Sequence, residues 1–172
     1  MKKLVLLLLF SFLKLGAQEN SKYSNEFLNI GVDAQSIGMS NAVVSNTSDV
    51  NSTYWNPAGL LQLEDKQISL MHSNYFANIA TYNFIAYATP IDDDSALGFS
   101  MIRFGVDDIL DTTQLIDDQG NINFDRINLF STADYAFLFS YARKLKFKNL
   151  NYGINLKIIR RIIGDFSSSW GF

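Results

Sequence analysis

The sequence contains no cysteine, a single histidine (His72) and two prolines in 172 residues. Without cysteine there is no disulfide framework, no thiolate-held zinc or iron–sulfur centre and no cysteine-anchored lipoprotein. One histidine excludes a multi-histidine metal site. Positive charge is also scarce: 14 Lys and Arg stand against 17 Asp and Glu, with no basic cluster, so the chain is a poor match to nucleic acid. After the N-terminus no run of 18 apolar residues occurs, so nothing downstream reads as a transmembrane helix. What the chain has in quantity is apolar and aromatic surface, 48% apolar with 14 Phe and 8 Tyr. That is too apolar for a disordered chain and suits one domain. The balance points away from an enzyme, and no cofactor, metal or nucleic-acid partner is expected.

The N-terminus reads as an address. Met1-Lys2-Lys3 is a short basic start, Leu4 to Leu13 is an apolar run broken only by Ser11, and Ala17 precedes a polar stretch. Ten positions are too few for a bilayer core, which takes about 20 helical residues. The pattern fits a cleavable signal peptide over residues 1–17, with export as the consequence. Removing Lys2, Lys3 and Lys14 leaves 11 basic against 17 acidic residues, a mature charge of about −6.

The remainder alternates with period two, most clearly over 134–143. Tyr135, Phe137, Phe139 and Tyr141 fall on one face, and Ala136, Leu138, Ser140 and Ala142 on the other. Residues 151–158 repeat the pattern, with Tyr152, Ile154, Leu156 and Ile158 opposite Asn151, Gly153, Asn155 and Lys157. Weaker strands are expected over 67–74, 81–89 and 96–104. Residues 90–95 and 144–149 read as short turns, and 105–130 as one long polar loop. No strand pattern is evident at 169–172. Alternation alone does not say which face meets the core, since a soluble sandwich and a membrane barrel share it. The loop lengths favour the barrel, because short turns fall at one end and the long loop at the other.

Two constellations invite chemistry and fail on spacing. Asp107, Asp108, Asp111, Asp117 and Asp118 supply oxygen atoms but not the alternate positions around a glycine of a calcium loop. They read as a solvated loop. Asp33, His72 and Ser73 are the residue types of a catalytic triad, with nothing to bring them together; His72 reads as a residue near a strand end.

Residues 25–63 do not alternate. Gly31 and Gly38 suit turns or close approach, and Tyr54-Trp55-Asn56-Pro57-Ala58-Gly59-Leu60 reads as a short capped helix, with Asn at the cap and Pro at the first helical position. The string Phe27-Leu28-x-Ile30-Gly31, then Gly38-Met39, then Trp55-Asn56-Pro57-Ala58-Gly59 resembles the N-terminus of PorV/PorQ-family outer-membrane proteins of type IX secretion, within the FadL-like barrel group. The resemblance continues through Asp134-Tyr135-Ala136, Ser140-Tyr141-Ala142-Arg143 and Arg160-Arg161-Ile162-Ile163-Gly164. Ser40-Asn41 departs from it, where a Gly-Gly or Gly-Ala pair is common.

The resemblance implies an all-β fold: the N-terminal part of a FadL-like transmembrane antiparallel β-barrel of about 14 strands when complete. Residues 18–63 would form a small hatch carrying Trp55, Asn56, Pro57, Ala58 and Gly59, and 64–172 the first strands. Tyr135, Phe137, Phe139, Tyr141, Tyr152, Ile154, Leu156 and Ile158 would then face lipid. About 110 residues follow position 63, enough for five or six strands and too few to close a barrel, so the chain reads as an N-terminal fragment. The implied function is a non-enzymatic outer-membrane component of type IX secretion, with outer-membrane lipid, secretion components and exported cargo as partners. The alternative is a FadL-like channel for long-chain fatty acids or other hydrophobic small molecules. A lipid-acting enzyme would need a nucleophile and base at one site, which one histidine without a recognisable partner does not offer.

Overall fold

The structure, a computed structural model, describes residues 25–117, 119–145 and 150–171. The expected signal peptide, Asp118 and most of the expected turn at 144–149 lie outside the described residues. Six strands occur among them: β1 (Gln67–Tyr75), β2 (Ala80–Asp92), β3 (Ser95–Asp111), β4 (Asn128–Leu145), β5 (Leu150–Ile163) and β6 (Ser167–Gly171). Each pairs antiparallel with the next, in the order β1-β2-β3-β4-β5-β6. The fold is all-β, as expected, and no helix among the described residues is long and apolar enough to cross a membrane.

The strands outrun their sequence boundaries. β2 to β5 hold 13, 17, 18 and 14 residues, longer than the roughly 9–11 a tilted strand needs to cross a bilayer. The expected turn over 90–95 shrinks to Asp93 and Asp94. Pro90 remains in β2 where the register shifts between Pro90 and Asp92, a place where a missing N–H is tolerated. The expected loop over 105–130 shrinks to 112–127. Its acidic start is a continuation of β3 through an irregularity between Val106 and Ile109, where Asp108 takes a φ of 58° and Asp107 pairs with Arg103 at 2.7 Å. Asp density suggested a loop, but paired backbone and one bulge hold a strand. The C-terminal segment is a strand too, because β5 offers Ser167–Gly171 a backbone edge. His72 lies inside β1, not at its end.

One face of the sheet is covered by the N-terminal segment. That segment comprises a 3₁₀ turn (Glu26–Asn29), α1 (Ala34–Gly38), α2 (Ser52–Trp55) and a second 3₁₀ turn (Pro57–Gln62). Phe27, Val32, Val50, Leu60 and Leu63 from it join one buried cluster with Tyr82, Phe84, Ile102 and Leu138 of the sheet. Elsewhere the covered face is small: Ala86, Ala88, Ala96, Ala136, Ser140 and Ala142 are all buried. Small side chains let the segment's backbone come close. A Cβ at Gly98 would strike the Thr53 methyl, and one at Gly153 would strike the Ala58 amide nitrogen and stand 2.7 Å from the Pro57 carbonyl carbon. Gly31 takes a φ of +93°, whereas Gly38 faces open space and needs neither turn nor close approach.

Gly153→Val is therefore expected to lift the Pro57–Ala58 backbone from β5 and destabilise the protein by about 1–3 kcal/mol, as overpacking does. Gly38→Ala serves as the contrast, neutral or stabilising by up to about 1 kcal/mol in a short helix. Thermal midpoints in detergent and protease cleavage within residues 25–63 distinguish the two.

Candidate functional site

The covered face is held by hydrogen bonds as well as by packing. α2 ends at Trp55, and the Thr53 carbonyl within it accepts from Asn155 Nδ2 of β5 at 2.9 Å. Ser140 Oγ of β4 lies 3.2 Å from that carbonyl and 2.5 Å from Asn155 Oδ1. Thr53 and Ser140 are buried, so these polar groups must be paired with one another. At the edge of the sheet, Gln67 of β1 accepts from the Val50 amide at 3.0 Å.

The Trp-Asn-Pro-Ala-Gly motif is the pivot of the segment. Asn56 leaves α2 in an extended conformation (φ −157°) and caps the following 3₁₀ turn, its Oδ1 accepting from the Ala58 amide at 3.2 Å. Its Nδ2 donates to the Val44 carbonyl at 3.0 Å. Pro57 takes the first position of the turn, where no N–H is needed. Gly59 brings the chain against the Thr47 carbonyl and Ser52. Trp55 donates to the Val32 carbonyl at 3.3 Å and meets Tyr54 edge-on at 4.7 Å. Tyr54 donates to the Leu28 carbonyl; burial raises its pKa, so the hydroxyl keeps that proton.

The opposite face is open. Tyr135, Phe137, Phe139 and Tyr141 all sit on it, since the alternate residues Ala136, Leu138, Ser140 and Ala142 are buried. Cross-strand pairing puts Tyr152, Ile154, Leu156 and Ile158 there with them. The sequence reading missed how far this surface runs. Ile68, Leu70, Ile85, Tyr87 and Leu97 continue it across β1, β2 and β3. Leu70 is 71% exposed and Ile154 61%.

The chemical candidates come apart. His72 is on the open face with Nδ1 2.7 Å from Asn83 Oδ1, while Ser73, one residue on, points to the other side. Asp33 caps α1, accepting from the Ser36 amide at 3.0 Å. Among the acidic residues, Asp107 is taken by Arg103, Asp111 accepts from Thr113, and Asp117 accepts from the Asn121 amide at 2.8 Å. Those last bonds hold the Asp117 carboxyl below the usual carboxylate range. On the covered face Arg161 and Asp134 form a two-bond ion pair at 2.5 and 2.8 Å.

A sequence model of a known family, described as type IX secretion system protein PorV, matches residues 17–159. The matched stretch takes in the whole covering segment and runs from β1 into β5. No curated protein and no solved structure matches the chain.

Asn56→Ala removes both the turn cap and the bond to Val44, and is expected to cost about 1 kcal/mol or somewhat more. Asn56→Asp keeps the cap but not the bond to Val44. Equilibrium unfolding should rank wild type above Asp and Asp above Ala.

Proposed function

Given that the chain belongs to the PorV family of type IX secretion system proteins, we propose that it works in the outer membrane as part of a β-barrel. The open face of the sheet meets lipid, and the expected hatch over residues 18–63, of which 25–63 are among the described residues, lies on the lumen side. The observation that carries this reading is the contrast between the two faces. Large apolar side chains stand bare on one face, while on the other small groups, polar groups and the buried Phe84, Ile102 and Leu138 are all covered by a fitted segment. Water would penalise each bare side chain by about 1.5–3 kcal/mol relative to burial. Hydrocarbon removes that penalty, and outer-membrane barrels are apolar outside and polar inside. β1 and β6 each pair on one side among the described residues. Further strands are needed to satisfy those edges in lipid, which supports reading residues 64–172 as the first arc of a larger barrel.

In this role the protein makes and breaks no bonds. Its partners are outer-membrane lipid, other components of the secretion system and exported cargo proteins, and the long loop over 112–127 would face outside. Export would be directed by the signal peptide at residues 1–17, which is then removed. A fatty-acid channel is the competing role. It requires an apolar path, and the apolar groups of the covered face, Phe84, Ile102 and Leu138, are no more than 3% exposed beneath the segment. Such a path opens only if the hatch leaves, which favours the secretion role.

Deleting the gene in its host should trap cargo proteins inside the cell, with wild type restoring their release and fatty-acid uptake unchanged. Loss of uptake with normal secretion would establish the channel instead. Phe139→Arg puts a cation on the open face near the middle of β4, and a charge at the bilayer midplane costs about 2–4 kcal/mol. Its heat-modifiable, membrane-inserted form should fall well below the wild-type level on gels of outer-membrane fractions. Unimpaired insertion would mean that this face does not meet lipid.

A further inference from the structure

One row of the open face is not apolar. Register links His72 to Asn83, Asn83 to Arg103, Arg103 to Tyr135, Tyr135 to Arg160 and Arg160 to Trp170, straight across all six strands. The row lies on the side of the apolar surface nearer the long loop. Its two cations differ. Arg103 is occupied, held by Asp107 at 2.7 Å and donating to Thr81 at 3.1 Å. Arg160 stacks on Trp170, 4.8 Å from the ring centroid, and its Nε is buried without an acceptor among the described residues. Stacking uses the face of a guanidinium and leaves its terminal Nη donors for an anion.

Farther along β5 from Arg160, and reaching across β4 and β3 to β2, lies an apolar groove of about 470 Å³, lined by Leu97, Phe99, Phe139, Tyr141, Ile154 and Leu156. From Arg160 to Leu156 and Ile154 is four to six residues of β5, roughly 13–20 Å at 3.3 Å per residue. One leaflet of hydrocarbon is about 15 Å deep, half of a core of about 30 Å. We propose that Arg160 and this groove hold a phosphate-bearing lipid of the outer leaflet, with its phosphate on the Arg160 Nη donors beside Trp170 and an acyl chain along the groove. The inference rests on the open face meeting lipid. Arginine with phosphate forms paired, charge-assisted bonds, and aromatic side chains belong at this level of a barrel.

The test uses the folded full chain in detergent, titrated with phosphatidic acid, with phosphatidylcholine of the same acyl chains and with inorganic phosphate, and read by native mass spectrometry. Wild type should retain phosphatidic acid at least tenfold more tightly than phosphatidylcholine, and inorganic phosphate should not displace it. Arg160→Gln should reduce phosphatidic acid to the phosphatidylcholine level, while Arg103→Gln leaves it unchanged. Equal retention of the two lipids by wild type overturns the site whether or not the variants fold. So does retention that survives Arg160→Gln, and displacement by inorganic phosphate would make it a phosphate site without a lipid. Failure here with Phe139→Arg still blocking insertion would remove the lipid site and leave the membrane reading standing.

Discussion

The structure depends on how closely residues 50–62 lie against one face of the sheet. The Thr53 carbonyl takes its hydrogen bonds from Asn155 and Ser140 on two neighbouring strands, so the segment and the sheet satisfy each other's buried polar groups. Those bonds are reachable only because Gly98 and Gly153 leave room for backbone and methyl groups. An unpaired buried carbonyl costs about 1–3 kcal/mol, and the same contacts bury Leu60 and Val50. Close approach, hydrogen bonding and burial thus stand or fall together.

That covered face dictates the chemistry of the other one. Strand residues alternate, so small and polar groups toward the segment oblige Phe137, Phe139, Ile154 and Leu156 to point away from it. A second sheet could cover them in a soluble sandwich, yet the six strands form a single meander. The PorV family match and the length of the strands both accord with a bilayer as the missing apolar layer. The two ends of the strands differ as well. Between β2 and β3 the turn is two residues, while β3 and β4 rise past the apolar rows into a long connection.

The legible parts of the fold were those governed by a simple period. β4 and β5 alternate cleanly because each has one apolar and one small or polar face, and their open-face residues sit where the pattern places them. The Asn-Pro cap was legible because its mechanism is local, one side chain and one missing N–H. Other features were hidden because they depend on partners distant in sequence. Asp107 and Asp108 look like loop until Arg103 and the β4 backbone are beside them. Ser167–Gly171 becomes a strand through the edge of β5. The polar row through Arg103, Tyr135 and Arg160 exists only in register, since its members are scattered along the chain.

Leu156 and Lys157 offer the most direct measurement, being adjacent, exposed and on opposite faces of β5. The absence of native cysteine allows one fluorophore to be attached at either position without a competing thiol. In reconstituted membranes, brominated acyl chains should quench the label at 156 and spare that at 157, while aqueous iodide should do the reverse. Acyl-chain quenching at 157 with iodide quenching at 156 would contradict the assignment of the faces, and with it the account of this sheet as a membrane wall lined by its own N-terminal segment.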